Sequence, residues 1–275
     1  MKSLYNIIGI VVMCVVMLAP AKAVAADAKT TAEVCWKEGI SSYEKREYSE
    51  AVRCFEQVAE LGYASADLYY NLANSYFKLG EATTEERGRK FAGGELGSAV
   101  LNYHRALRLD PTMEDARYNL ELAVDHTNDT EPLPESFIVT IWRGVRDVAS
   151  SNGWAVGSLI MLGVMLTLVI LYLLSDNIVL RKISFFASIL LLVCSLLSMT
   201  FALSSRLQME EDNRAVVMCS DTTPVHASPE SGSKVIRQPS QGVTVRELRR
   251  HGEWSEIAFA DGEKGWIRTA KIERI

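Results

Sequence analysis

Histidine and cysteine are the side chains best able to bind a metal or attack a substrate, so their spacing is the first test for catalysis. The four histidines, His104, His126, His226 and His251, are scattered along the chain, and no pair has the spacing of metal ligands. The sequence contains no P-loop, GxSxG or HExxH motif. No set of residues converges on a catalytic centre. The sequence therefore predicts a protein that is not an enzyme and that uses no cofactor or metal.

The cysteines favour structural roles over redox chemistry. Cys14 and Cys194 lie in apolar stretches, which leaves Cys35, Cys54 and Cys219 in the polar parts of the chain. An odd number cannot form a complete disulfide framework, and no CxxC pair is present. A bridge between Cys35 and Cys54 is conceivable, but small buried core cysteines are the favoured interpretation. A thiol-redox role for the three is kept as a third functional hypothesis.

Two long apolar runs determine how the other parts of the chain lie relative to a membrane. The segments Trp154–Leu174 and Ile183–Leu203 each contain 21 residues and no charged side chain. A helix of that length spans the roughly 30 Å hydrocarbon core of a bilayer. Residues 154–174 and 183–203 are therefore predicted to be transmembrane helices joined by a polar link at residues 175–182. The parts before and after such a hairpin lie on the same side of the membrane.

The N-terminus predicts on which side these parts lie. Lys2 precedes the apolar stretch Ile7–Leu18, and the small residues Val24-Ala25-Ala26 follow, which is the pattern of a secretory signal peptide. Residues 1–26 are therefore predicted to be cleaved, with an uncleaved N-terminal anchor as the alternative. Export would place the flanking parts of the chain in the periplasm and the protein in the inner (cytoplasmic) membrane, with two spans.

The charges near the spans give this orientation mixed support. Arg181 and Lys182 in the link agree with the excess of basic residues found in cytoplasmic loops, whereas Arg143 and Arg146 before the first span oppose it mildly. Residues 27–135 carry 21 acidic against 12 basic side chains, a net charge of −9. An acidic module does not suit nucleic acid as a partner, so the bilayer and other proteins are the expected partners.

Residues 27–127 show an internal period of about 34 residues. Small residues recur where two helices must approach closely, and aromatic residues recur where the gap to the next pair must be filled. The first copy covers about residues 32–65 and the second about residues 66–111, with an insertion at 81–94 predicted to be a charged loop. The helix at 112–123 is predicted to cap the open end. The residues in register are Gly39, Ala51, Phe55 and Val58, then Leu72, Ala73, Tyr76, Ala99, Tyr103, Ala106 and Pro111.

This spacing resembles the tetratricopeptide repeat (TPR), which implies an all-α solenoid of helix pairs. In such repeats the first helix of each pair lines a concave face. Large apolar residues grouped on one surface indicate a protein-binding groove, whereas the alternative is that residues 128–150 or the hairpin fill it. A free C-terminal carboxylate is not the expected ligand, because two residues of that clamp are replaced here. The predicted groove residues are Trp36, Ile40, Tyr43, Tyr70, Asn74, Phe77, Lys78, Arg117 and Leu120.

Residues 128–153 are predicted to be a linker. Within it Phe137–Val148 is either an amphipathic helix on the membrane surface or an extension of the first span. Residues 204–214 form a second predicted linker. From residue 215 the apolar period changes to two, which predicts short strands. These are Ala215–Met218, Thr223–His226, Lys234–Ile236, Val243–Leu248, Trp254–Phe259 and Gly265–Ile267.

Residues 215–275 resemble bacterial SH3 domains, through Gly252-Glu253-Trp254 and Gly262-Glu263-Lys264-Gly265-Trp266-Ile267. The resemblance implies a small all-β barrel in which the strands of these two tryptophans pair. It also implies a possible ligand surface at His226 and Trp266, although Trp266 could equally be a core residue. The expected fold is thus a multidomain membrane protein, with a TPR solenoid, two transmembrane helices and an SH3-like barrel.

This order of parts resembles the BatE family of the bacterial aerotolerance (Bat) operon. The most telling stretches are residues 69–80 and 109–121, together with the strand motifs above. The resemblance implies a non-enzymatic envelope scaffold that acts with other Bat components, namely membrane proteins with von Willebrand A domains and a MoxR-type AAA+ ATPase. The alternative function is sensing or binding of the cell envelope, in which the SH3-like domain binds peptidoglycan.

Overall fold

The computed structural model describes residues 28–87, 91, 93–127, 137–210, 213–219 and 223–275. The predicted signal peptide, part of the 81–94 insertion and the first part of the 128–153 linker lie outside these ranges. The described chain is mostly helical and contains two long apolar helices and one antiparallel sheet of seven strands.

The first five helices pack in sequence as antiparallel neighbours. Small residues allow this packing: Ala51, Ala73 and Ala99 are fully buried, and a Cβ added to Gly39 would lie 2.8 Å from the Phe55 ring. One core joins the first three helices and a second joins the last three. The helices are α1 (residues 28–44), α2 (Tyr48–Glu60), α3 (Ala66–Arg87), α4 (Glu95–Leu109) and α5 (Glu114–Asp125).

Helix α3 is longer than expected, so the prediction of a loop throughout residues 81–94 was wrong. The helix continues through the first half of that segment and ends at Arg87. The residues from Glu81 to Arg87 include no glycine or proline that would stop a helix. Phe91 then packs on Gly80, where a Cβ would come within 2.1 Å of its ring. The absence of a side chain at Gly80 is therefore what lets the returning chain approach α3.

The apolar segments form a helical hairpin. Helix α6 (Phe137–Arg146) precedes α7 (Ser151–Leu174) and α8 (Ile178–Glu210). Both α7 and α8 are long and apolar enough to cross a membrane by length and composition. The link is only residues 175–177, shorter than the predicted 175–182, and α8 continues through most of the predicted 204–214 linker.

Small polar side chains hold the hairpin together. The hydroxyl of Ser158 donates to the Ser195 carbonyl at 3.0 Å, and the hydroxyl of Ser195 donates to the Ser158 carbonyl at 3.0 Å. One turn away, Ser198 donates to the Trp154 carbonyl at 2.7 Å. Small residues let helix backbones approach closely within an apolar environment. The ring of Trp154 also packs on Phe201, at a centroid distance of 5.1 Å, near the open end of the hairpin.

The sheet is open, so the prediction of a closed barrel was wrong. Its hydrogen-bonded order is β3-β2-β6-β5-β4-β1-β7, with β3 and β7 at opposite edges. The expected pairing of the Trp254 and Trp266 strands is confirmed, because β5 and β6 are antiparallel neighbours. The strands are β1 (Arg214–Val217), β2 (Val225–His226), β3 (Val235–Arg237), β4 (Thr244–His251), β5 (Trp254–Ala258), β6 (Lys264–Arg268) and β7 (Ile272–Arg274).

The β1–β7 side of the sheet packs on helix α4. Val216 and Ile275 are buried in the same apolar cluster as the α3–α5 core. At the edge of this contact, Arg105 donates to the Glu273 carboxylate at 2.8 Å. Gly97 allows the close approach, since a Cβ there would lie 3.0 Å from the Val217 carbonyl oxygen. One end of the sheet thus closes on a helix rather than on its own opposite edge.

A glycine turn completes the contact between helices and sheet. Gly242 has a φ of +82°, and a Cβ added there would lie 2.9 Å from Cγ2 of Thr127. The adjacent Gln241 side chain donates to the Phe91 carbonyl and accepts from the Gly97 amide at 3.5 Å. The five-helix part and the sheet therefore form one body, although the hairpin separates them in sequence.

Candidate protein-binding groove

The face formed by α1, α3 and α5 contains a cavity of about 190 Å³. Five of the nine predicted groove residues line it, which places them on one surface as the helical spacing required. A cavity of this size accommodates one inserted side chain, whereas pockets for small-molecule ligands occupy roughly 300–1,000 Å³. The lining residues are Tyr43, Tyr70, Asn74, Phe77, Lys78, Tyr103, Asn119 and Leu122.

The other four predicted groove residues lie outside the cavity. Trp36 is half-buried and packs edge-on against Phe55, with ring centroids 5.5 Å apart. Ile40 is exposed on α1. Arg117 is exposed, and its guanidinium donates to the Pro111 carbonyl at 2.6 Å. Leu120 packs against the core of α3–α5.

Three cavity residues were missed by sequence reasoning. Tyr103 belongs to α4 and was interpreted only as a packing residue between helix pairs. Asn119 and Leu122 lie on α5 beside the predicted Leu120, so an error in the rotational register of the cap helix explains both. α5 is rich in polar residues, so the sequence offered no signal that singled out Asn119.

A polar network fixes the direction of the cavity's hydrogen bonds. Tyr103 is 1% exposed, and its hydroxyl donates to Oδ1 of Asn74 at 2.6 Å. Nδ2 of Asn119 donates to the same oxygen at 2.9 Å and approaches the Tyr70 hydroxyl at 3.4 Å. A buried phenol needs an acceptor, so Oδ1 of Asn74 faces Tyr103. Within the described chain Nδ2 of Asn74 has no acceptor, and it is left to donate into the cavity.

The positive charge of Lys78 at one side of the cavity is neutralised by Glu81. The ammonium group of Lys78 donates to the Glu81 carboxylate at 2.7 Å, and that bond raises the pKa of Lys78. Burial raises the pKa of Tyr43, with the nearby Lys78 acting in the opposite direction. Tyr43 is therefore a neutral hydrogen-bond donor at neutral pH. The cavity offers aromatic walls and several donors without a net charge from this pair.

One wall of the groove is completed by the chain itself. The ring of Phe77 lies 5.4 Å from that of Phe91 and 5.6 Å from that of His126. Phe91 and His126 also contact each other, at 5.4 Å. These three rings form a rigid aromatic cluster that holds Phe77 in place at the cavity wall. This wall of the groove is therefore preformed, and one part of the Phe77 ring is covered by Phe91 and His126.

The sheet residues predicted as a ligand surface are placed differently. His226 is 7% exposed, its Nδ1 lies 3.1 Å from the Ser233 carbonyl, and its ring packs edge-on against Trp254 at 5.3 Å. The expectation that His226 lies on an open surface was therefore wrong. Trp266 is half-buried, and the Arg249 guanidinium lies over its ring at 5.4 Å.

The cysteines provide no preformed redox pair in the described structure. Cys35, Cys54 and Cys219 are free and buried, as the sequence favoured, and Cys194 on α8 is half-buried. Burial is the main cause that raises the pKa of Cys54, and the neighbouring Glu50 carboxylate acts in the same direction.

No protein-family model matches this chain, and no curated protein is significantly similar to it.

Proposed function

We propose that this protein is a membrane-anchored scaffold that binds a segment of a partner protein in the groove formed by α1, α3 and α5. The observation that carries the proposal is the convergence of Tyr43, Tyr70, Asn74, Phe77 and Lys78 on one cavity. Aromatic anchors around a small pocket are typical of the centre of a protein-binding surface. The proposed role is non-enzymatic.

The direction of the hydrogen bonds in the cavity indicates which chemical groups a partner could present to it. Asn74 and Tyr43 present donors, whereas Oδ1 of Asn74 is used internally. Because Glu81 balances Lys78 and residues 27–135 carry a net charge of −9, a neutral acceptor suits the site better than an anion. The proposed ligand is therefore a peptide segment that inserts one apolar side chain and presents a backbone carbonyl to Asn74.

The hairpin would hold this groove at a membrane. Both α7 and α8 have the length and composition of spans. The sheet contacts α4, which supports the proposal that the parts on either side of the hairpin share one compartment. That arrangement agrees with a hairpin that crosses twice. A signal peptide at residues 1–26 would make this compartment the periplasm and the membrane the inner membrane.

The finer assignment follows the resemblance in the sequence. We propose that the helices are TPR-type repeats and that the sheet is a divergent SH3-like module, as in the BatE family. The partners would then be membrane proteins with von Willebrand A domains. Peptidoglycan binding by the sheet is the weaker candidate, because His226 is buried and the Arg249 guanidinium covers one face of Trp266.

Site-specific photo-cross-linking in cells tests the proposal. A benzophenone amino acid would replace Tyr43 or Phe77 in the full-length chain, and cross-linked proteins would be identified by mass spectrometry. Tyr118 provides the matched control, because it is 63% exposed on α5 and does not line the cavity. An epitope in the exposed turn at Gly232 allows purification without altering either terminus.

The expected result is one protein cross-linked from positions 43 and 77 but not from position 118. A Tyr70→Ala/Asn74→Ala variant should abolish these cross-links, and circular dichroism at the working temperature checks that it is folded, because Asn74→Ala also leaves the buried Tyr103 hydroxyl without its acceptor. Identical cross-links from all three positions would refute a specific groove. Cross-links only within the chain itself would show that the groove is filled internally, and the scaffold proposal would fail.

A further inference from the structure

A second cavity lies at the closed end of the α7–α8 hairpin, far in sequence from the groove. Its volume is about 320 Å³, and it is open to the surroundings of the hairpin. It combines two basic side chains with aromatic and aliphatic walls, and all of its residues flank the three-residue link. The lining residues are Tyr172, Ile178, Arg181, Lys182, Phe185 and Phe186.

The two cations of this cavity have no acidic partner in the described chain. Arg181 and Lys182 are exposed, and neither forms an ion pair with any residue that the structure describes, including the exposed Asp176 of the same link. The Arg181 guanidinium is held over the Tyr172 ring, 5.3 Å from its centroid. The rings of Tyr172 and Phe185 lie 5.7 Å apart, so the helices fix this arrangement from both sides.

The N-terminus of α8 contributes little to this site. Arg181 and Lys182 are the fourth and fifth residues of α8, beyond the first turn in which the helix dipole acts most strongly. Backbone amides do not form the site, because Oδ1 of Asn177 accepts from the amides of Val179 at 2.9 Å and Leu180 at 3.3 Å. Binding of an anion therefore depends on the side chains of Arg181 and Lys182.

The walls of the cavity identify the class of anion. Ile178 and Phe186 are each 69% exposed, and they continue directly into the apolar outer surface of the hairpin. A free phosphate would leave these side chains in water. An amphiphile with a phosphate and acyl chains would cover them and neutralise the cations together. The apolar run Ile183–Leu203 begins directly after Lys182, which sets both cations at headgroup depth if α8 spans the bilayer.

We propose that this cavity binds the headgroup of an anionic phospholipid. Arg181 and Lys182 contact the phosphodiester, and Phe185 and Phe186 contact the first methylenes of an acyl chain. The site is separate from the protein-binding groove. It makes the hairpin bind anionic phospholipids in preference to neutral ones. It does not depend on which partner the groove binds.

Native mass spectrometry of the full chain released from detergent micelles tests this site. The probes are phosphatidylglycerol, phosphatidylcholine and the soluble headgroup glycerophosphoglycerol. The test variant is Arg181→Gln/Lys182→Gln. The control is Arg206→Gln, which removes one positive charge near the other end of α8. A charge-preserving Arg181→Lys/Lys182→Arg variant separates loss of charge from loss of shape.

The wild type should bind phosphatidylglycerol more tightly than phosphatidylcholine. The double glutamine variant should lose roughly 25-fold in affinity for phosphatidylglycerol, because each basic side chain near an anionic lipid surface contributes on the order of a five-fold factor. The control and the charge-preserving variant should remain within about two-fold of the wild type.

Three outcomes would overturn the proposal. The first is unchanged phosphatidylglycerol binding by the double glutamine variant, and the second is equal loss in the Arg206→Gln control. The third is binding of glycerophosphoglycerol as tight as that of the lipid, which would indicate a phosphate site without a lipid. Cross-linking from position 43 in the same variants reports on the groove, so failure of one proposal is distinguishable from failure of the other.

Discussion

The phenolic oxygen of Tyr103 lies 2.6 Å from Oδ1 of Asn74, and this bond sets the direction in which the Asn74 amide faces. Tyr103 on α4 forms part of the cavity wall but is only 1% exposed, whereas Asn74 lines the groove on α3. A side chain that is almost fully buried thus controls which atoms of Asn74 face the cavity.

A Tyr103→Phe variant tests this control. Removing the hydroxyl leaves the Asn119 amide as the remaining donor to Oδ1 of Asn74, so the amide is held less firmly and partner binding should fall, although less than in Asn74→Ala. The free energy of unfolding should decrease by about 1 kcal/mol, the usual net value of such a bond. Cross-linking yield from position 43 and thermal unfolding measure the two effects. Tyr76→Phe is the control, because its phenol bonds to Glu56 away from the cavity, and equal losses in both variants would contradict the assignment.

A buried carboxylate gives the sheet an acid-sensitive interior. Burial acts to raise the pKa of Glu247, but hydrogen bonds from Arg250, Ser255 and Arg274 outweigh it and lower the pKa to about 2. The carboxylate therefore stabilises the folded state fully above the unfolded value of about 4.3, and this contribution is lost as the pH falls from there toward 2.

The Glu247→Gln variant should destabilise the sheet at neutral pH by about 2 kcal/mol, since it weakens hydrogen bonds to a charged group. The loss should shrink as the pH approaches 2. Hydrogen–deuterium exchange of the β4 and β5 amides measures both effects. Glu253→Gln removes an exposed partner of Arg268 and should change exchange little. A constant difference between wild type and Glu247→Gln from pH 7 to pH 2 would refute the role of ionisation.

Two glycines form a matched pair for testing the contact between helices and sheet. Gly242 and Gly62 both have φ values near +85°, at +82° and +86°. A Cβ at Gly242 would lie 2.9 Å from Thr127, whereas a Cβ at Gly62 would meet nothing within 4 Å. Gly62→Ala should lower the free energy of unfolding by about 1 kcal/mol through backbone strain. Gly242→Ala should lower it further, because the added methyl group also pushes Thr127 away and loosens the contact between the helices and the sheet.

Hydrogen exchange of the α4 amides distinguishes these two effects. In Gly242→Ala, exchange of the α4 amides facing the sheet should accelerate, and in Gly62→Ala it should not. If both variants change α4 equally, the turn at Gly242 does not hold the sheet against the helices.

The reciprocal serine bonds predict a specific cross-link in the hairpin. The hydroxyl oxygens of Ser158 and Ser195 are 3.1 Å apart. In a Cys194→Ser background, Ser158→Cys/Ser195→Cys should form a disulfide on mild oxidation, because the side chains face each other across closely packed helices. Ser158→Cys/Leu196→Cys should not, since Leu196 is 60% exposed on the outer face. The chain is cleaved between the two helices and run on a non-reducing gel, where a disulfide keeps the two fragments together as one band. Cross-linking of both pairs would argue against a fixed interface.

The buried thiols should be unreactive in the folded protein. The raised pKa of Cys54 keeps it protonated at neutral pH, and the thiolate is the reactive form. Alkylation by iodoacetamide at pH 7.5 should be at least about ten-fold slower than in the denatured chain. Peptide mass spectrometry over time gives the rates. Fast modification of Cys54 in the folded state would restore the thiol-redox hypothesis.

The side chains that share the groove could be predicted because helical periodicity fixes them locally. Tyr70, Asn74 and Phe77 are three or four residues apart on one helix, so they must lie on one face. Asn119 was missed because α5 is short and nothing local sets its rotation against α3. Tyr103 was interpreted only by its size, and its hydroxyl gained a role only through Asn74.

The open sheet and the burial of His226 could not be predicted for a different reason. Both depend on contacts between distant parts of the chain, such as Val216 with α4 and His226 with Trp254. The extension of α8 past Leu203 was missed because its polar residues were interpreted as a linker. No glycine or proline occurs there to end the helix.

The contact of Gly97 with Gln241 spans 144 residues. During synthesis, α4 is completed before the apolar hairpin, and the strands that cover it come afterwards. At about 5–20 residues per second, the α4 surface at Leu96 and Val100 stays uncovered for on the order of 10 s. The contact between the helices and the sheet can therefore form only after both apolar helices of the hairpin have been synthesised, whereas every residue that lines the groove precedes the hairpin.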